Sequence, residues 1–254
     1  MALPITDLEL SIPAASGVFR GILTVPPAAH ALVLFAHGTG SSRWSPRHRR
    51  LARQLREAGL ATLLFDLLTE EEERVDARTG HLRFDVDLLA ARLDLAMAIG
   101  LRRPEAAELP VGIFGAGTGA AAALVEAARR PDVVRAVVSR GGRPDLAGEE
   151  LAGVAAPTLL IVGGDDPVVL GLNRQAMGRM VAPVELAVVP GGGHLFQEPG
   201  ALDRVAELAA SWFCHHLAGV PVATAVAGRD RAAPAAPAGR LRPGRPAGGR
   251  SPRG

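Results

Sequence analysis

The chain has a single cysteine, Cys214, among its 254 residues. One thiol can form neither an intramolecular disulfide nor a cysteine-based zinc site, and its scarcity fits a reducing, cytoplasmic setting; Cys214 reads as a packing residue. Lysine is absent, so all 28 basic residues are arginine. With alanine so abundant, this reads as the compositional bias of GC-rich codons, which argues against treating the arginines as individually selected. No apolar run approaches the roughly 18 residues a membrane helix requires. The opening MALPITDLEL lacks a basic segment and carries Asp7 and Glu9, so neither a signal peptide nor membrane insertion is expected. No internal repeat is visible.

What is present is core material: 48% of the residues are hydrophobic, enough for one globular domain. Charge is spread unevenly. Residues 219–254 hold seven arginines against one acid, Asp230, a local charge of +6, which leaves −4 on residues 1–218 for a total of +2. That terminal stretch is almost entirely Ala, Gly, Pro and Arg without hydrophobic periodicity, and its burial would not offset ordering entropy. The expected organisation is a domain over 1–218 and a disordered tail over 219–254. Arginines alone could touch nucleic-acid phosphates, but with no aromatic residue for base stacking the tail reads as solvated.

Within 1–218, short apolar runs alternate with segments of helical spacing. Residues 18–25 alternate as a hairpin strand partnered by 8–12. The runs at 31–36, 60–66, 111–114, 133–138, 158–162 and 184–189 read as strands buried on both faces, and helices are expected near 46–58, 85–101, 118–129, 167–180 and 200–217. Ser45-Pro46 is a cap followed by proline at the first helical position, with Gly59 as the stop. The expected fold is α/β: a mostly parallel sheet of about eight strands covered by helices on both faces.

Ligands of such sheets bind beyond the carboxyl ends of the strands. There lie His37-Gly38-Thr39-Gly40, Asp66, Gly115-Ala116-Gly117-Thr118-Gly119, Ser139-Arg140-Gly141-Gly142, Asp165-Asp166-Pro167 and Gly191-Gly192-Gly193-His194. A sharp strand–turn–helix, then a carboxylate after a later strand, then a histidine after the last strand is the order of a nucleophile–acid–base triad. The centre of the turn is Gly117, which has no attacking atom.

Together with HGTGSSRWSPR, LATLLFDLLTEEEE, GIFGAGTGAAAALV, SRGGRPDLAG, APTLLIVGGDDPVV and GGGHLF, this pattern resembles a dienelactone-hydrolase-like member of the α/β-hydrolase superfamily over residues 15–217, without a cap domain. The resemblance implies Asp166 as acid, His194 as base and the backbone amides of Thr39 and Thr118 as the oxyanion hole. It implies hydrolysis of an ester or lactone and no metal or cofactor. Members of this family also occur beside phosphoribosyltransferase domains, which suggests a functional partner of that type. With glycine at the nucleophile position, the expectation is an inactive or weakly hydrolytic protein in which an Asp166–His194 pair activates water.

Several of these residues have plainer readings. Asp165 competes with Asp166, and either carboxylate before Pro167 could simply cap a helix. Glu70–Glu73 reads as a solvated run, with Arg43, Arg47, Arg49 or Arg50 as alternative partners. The Ser139–Gly142 stretch reads as ordinary loop geometry. A different class of function also fits one segment: Gly115-x-Gly117-x-x-Ala120 after a strand matches a dinucleotide-binding turn, with Arg140 about 20 residues on where an NADP enzyme places an arginine. That reading leaves His37-Gly38, Asp166 and His194 without roles.

Overall fold

The computed structural model describes residues 5–38 and 40–219; Thr39 and the expected tail from 220 onward lie outside the described residues. Strands β1 (Thr6–Ala14) and β2 (Gly17–Val25) form an antiparallel hairpin, and β2 pairs antiparallel with β4 (Leu60–Phe65). The remaining strands are parallel: β3 (Ala31–Ala36), β5 (Val111–Ala116), β6 (Val134–Arg140), β7 (Thr158–Gly163) and β8 (Val184–Val189). The eight-stranded order is β1-β2-β4-β3-β5-β6-β7-β8.

Among the described residues, six α-helices accompany the sheet: α1 (Pro46–Glu57), α2 (Glu70–Thr79), α3 (Val86–Gly100), α4 (Thr118–Arg129), α5 (Pro167–Met177) and α6 (Ala201–Leu217). In α1, His48, Leu51, Ala52 and Leu55 recur at helical spacing and bury one stripe, and Gly59 behind it takes φ 83°. Helices α1 and α6 cover the sheet face bearing Phe35, Phe114, Val138 and Ile161. Helices α3 and α4 cover the opposite face, with Leu34, Leu63 and Ile113. Chain order runs outward in both directions from β3 and β5, so the crevice beyond their carboxyl ends is the switch point where α/β sheets bind ligands.

One expectation needs correction. Strand β8 is an edge strand, not buried on both faces, with Val188 exposed; among the described residues nothing pairs beyond it. The Glu70–Glu73 run is the first turn of α2, where carboxylates suit the helix dipole. The Thr69 hydroxyl accepts from Glu72 N–H at 3.3 Å, and the Glu72 carboxylate accepts from Thr69 N–H at 2.8 Å. Glu72 then pairs with buried Arg92 at 2.5 Å. The arginines suggested for the run go elsewhere: Arg43 pairs with Asp66, and Arg50 with Asp203.

Candidate active site

The turn from β5 into α4 is built by glycines. A Cβ on Gly115 would lie 2.5 Å from Ala120 Cα, and one on Gly119 would overlap the Ala36 carbonyl oxygen, so neither position admits a side chain. Gly117, between them, holds φ 55° and ψ −125°, a conformation that strains any L-residue with a side chain. Among the described residues outside its chain neighbours, the sole atom meeting a Cβ on Gly117 within 4 Å is Gly38 Cα at 3.4 Å, an ordinary contact distance. Its carbonyl accepts from Ala120 N–H at 3.2 Å and from Arg143 N–H at 3.0 Å, which ties the turn to the loop after β6. Thr118, buried, opens α4.

Asp166 sits ahead of α5 and divides its two oxygens between two tasks. Oδ1 accepts from Val169 N–H at 3.2 Å as a helix cap, and Oδ2 accepts from His194 Nδ1–H at 2.7 Å. The one carboxylate therefore both caps α5 and faces His194. Asp165 is exposed, and its backbone N–H donates to the Gly192 carbonyl at 3.0 Å. Spending Nδ1 on Asp166 leaves Nε2 of a half-exposed imidazole for a ligand.

The loop bearing His194 is rich in glycine, yet it is pinned. Phe196 takes φ 53°, unusual for an aromatic residue, while its ring is 1% exposed. Arg140, at the end of β6, donates from Nη2 to the Leu195 carbonyl at 3.1 Å and lies 5.2 Å from the Phe196 ring centroid. Burial pushes its guanidinium down to about 10, with the positive charge of Arg47 adding to the effect. Among the described residues no carboxylate pairs with it, and its Nε has no acceptor. Arg140 is thus the residue the sequence reading undervalued. The available signal was a cation ending an otherwise apolar buried strand, which demands a specific partner. The Arg140 side chain lies under the His194 loop, bonded to Leu195.

His37 joins the loops after β3 and β4. One tautomer serves both contacts, Nδ1–H donating to the Gly38 carbonyl at 3.1 Å and Nε2 accepting from Leu67 N–H at 3.3 Å. Burial, partly opposed by the Gly38 bond, pushes its imidazole down to about 4. His48, packed nearby and chiefly desolvated, goes down to about 3. Beside Gly38 and Thr118 opens a cavity of about 330 Å³ that reaches α2. The structure thus brings Gly117, Thr118, Asp166 and His194 to the same strand ends; Thr39 lies outside the described residues. Among the described residues no cluster of His, Cys, Asp or Glu could hold a metal ion.

The model of the dienelactone hydrolase family matches residues 19–215. The chain belongs to the dienelactone hydrolase family. A dienelactone hydrolase of Anabaena variabilis is 52% identical, with a TM-score of 0.81 over 84% of this chain and 99% of that one. Two putative phosphoribosyl transferases of Mycobacterium tuberculosis are 55% identical over 216 residues, covering 85% of this chain but 48% of their own length. The chain thus spans about half the length of these curated relatives. Est1E of Butyrivibrio proteoclasticus, 14% identical with a TM-score of 0.69 over 83% of this chain and 99% of its own, shares the fold of this family member. No helix among the described residues is long and apolar enough to cross a membrane.

Proposed function

We propose that this domain binds an ester or lactone, in the cytoplasm, at a hydrolase-type site that has no covalent route and is inactive or weakly hydrolytic. The observation that carries the reading is a Gly117 turn in elbow conformation at the same strand ends as an Asp166–His194 pair at 2.7 Å. Acylation needs an oxygen or sulfur at the turn, and Gly117 supplies none. The remaining route is general-base hydrolysis. His194 Nε2 takes a proton from water as the water oxygen attacks the acyl carbon, and Asp166 stabilises the imidazolium. The Thr118 amide, with that of Thr39, holds the oxyanion. Collapse then expels the alkoxide, which receives the proton from His194, so the base is regenerated.

The test is intact-mass analysis after treatment with a fluorophosphonate, on this chain and on Gly117→Ser. The native chain is expected to stay unmodified and to give no burst with a p-nitrophenyl ester, while the variant is labelled at position 117. A folded Gly117→Ser that stays unlabelled overturns the reading, and dinucleotide binding at Gly115–Ala120 becomes the alternative to assay. The name borne by the M. tuberculosis relatives supports a second element, a functional link to phosphoribosyl transfer carried by the half of those proteins this chain does not match. On this proposal the chain alone releases no pyrophosphate from phosphoribosyl pyrophosphate.

A further inference from the structure

The cavity beside Thr118 has an uneven charge inventory. Leu67, Leu68, Ala77 and Leu89 supply an apolar floor, and the buried His37 is neutral near pH 7. Of the charged groups lining it, Asp76 is bonded to Arg83 Nε at 2.6 Å, so the two cancel. Arg43, a cation outside the lining whose charge acts on Glu73, is bonded to Asp66. Glu73 remains, with no pairing cation among the described residues. Among the described residues, a ligand group placed against this wall therefore meets a net negative charge and no unengaged guanidinium.

We propose that this cavity selects compact ester or lactone ligands whose distal group is cationic or neutral, and that Glu73 is the specificity-determining residue that rejects a distal carboxylate. The proposal rests on the reading of the neighbouring strand ends as an ester or lactone site. At about 330 Å³ the cavity lies near the lower end of small-molecule sites, which suits a ligand with one short apolar arm. Rejection follows from two effects. A carboxylate loses hydration on entry, and it finds Arg83 already occupied while Glu73 repels it. Because Glu73 lies at the exposed rim, water and salt moderate the repulsion.

The absence of an Oγ at Gly117 makes direct binding measurable, since esters cannot acylate the chain. Three methyl esters with the same trimethylene arm and similar end-group shape serve as probes: methyl 4-(dimethylamino)butanoate, methyl 5-methylhexanoate and monomethyl glutarate. Their dissociation constants are read by ligand-observed NMR at pH 7.5 on the native chain and on Glu73→Gln. The cationic ester is expected to bind tightest and the glutarate weakest, with the two differing about fivefold at low salt. The difference should shrink in about 0.5 M salt, and Glu73→Gln should reduce it to about twofold or less. Glutarate binding as tight as the neutral ester, a ratio unaltered by Glu73→Gln, or no binding of any probe overturns the proposal. Fluorophosphonate labelling of Gly117→Ser separates the two levels. Labelling without charge selection sinks the Glu73 assignment alone, whereas an unlabelled folded variant sinks the ester-site reading beneath it.

Discussion

At Gly117 the left-handed backbone is accessible to glycine without cost, whereas serine would hold the same φ of 55° under strain worth about 1–3 kcal/mol. The 3.4 Å clearance to Gly38 means that the penalty is conformational and not a clash. Gly117→Ser is therefore expected to fold but to lose stability within that range, as read from urea-unfolding midpoints. The neighbouring carboxylates separate just as cleanly. In the Gly117→Ser background, Asp166→Asn removes the charge facing His194 while asparagine still caps α5, so ester turnover should collapse with little change in unfolding midpoint. Asp165→Asn alters an exposed side chain and should leave both nearly unchanged. The reverse ranking would move the acid role to Asp165.

A histidine in a run as glycine-rich as Pro190–His194 stays in register because the end of the loop is anchored. Phe196 fills a buried niche, and Arg140 holds the Leu195 carbonyl, which makes Arg140 a positioning residue for the proposed base. Replacing a buried guanidinium that lacks an acidic partner with an apolar chain of similar length costs little overall, because lost hydrogen bonding is offset by relief of desolvation. Arg140→Met in the Gly117→Ser background should thus shift unfolding by less than about 2 kcal/mol. Fluorophosphonate labelling should nevertheless slow at least about tenfold through misplacement of His194. Equal labelling rates would show that the loop holds its position without Arg140. Helix α2 illustrates the opposite kind of element: its Thr69–Glu72 capping box was written in the sequence but masked by four consecutive glutamates, which resemble a solvated run when apolar periodicity is the criterion.

For the whole molecule, buried titratable groups define a pH window. His37 and His48 have folded values of about 4 and about 3, below the unfolded value of 6.5, so unfolding takes up protons as pH falls below about 6.5 and stability drops. Glu126 is shifted the other way, pushed up to about 8, chiefly by burial and then by Asp94. The folded state binds that proton across the range from its unfolded value up to about 8, so stability falls as pH rises through that interval and levels off above it. Below about pH 6.5 the two histidines outweigh the one glutamate, leaving a net loss of about 1.4 kcal/mol per pH unit; above it Glu126 dominates with a similar slope. Denaturant unfolding at several pH values should therefore find a maximum near pH 6.5. Glu126→Gln should flatten the alkaline side, and a profile that rises steadily to pH 8 in the native chain would contradict this assignment.

The positions of the strands and of every described α-helix except α2 were determined by the sequence alone, because a strand covered on both faces needs an uninterrupted apolar run and a covering helix needs a periodic one. The glycines at 115 and 119 and the order of Gly117, Asp166 and His194 along the chain were legible for a similar reason: each follows directly from a strand end. Only the tertiary structure decided which strand lies at the edge, and so why β8 is partly exposed despite its apolar composition. It alone decided that Asp166 and not Asp165 faces His194, that Arg43 serves Asp66, and that Arg140 turns inward beneath Leu195. These outcomes depend on contacts between residues 23 to 55 positions apart, in which direction and desolvation choose the partner, and neither is encoded in residue type or local spacing.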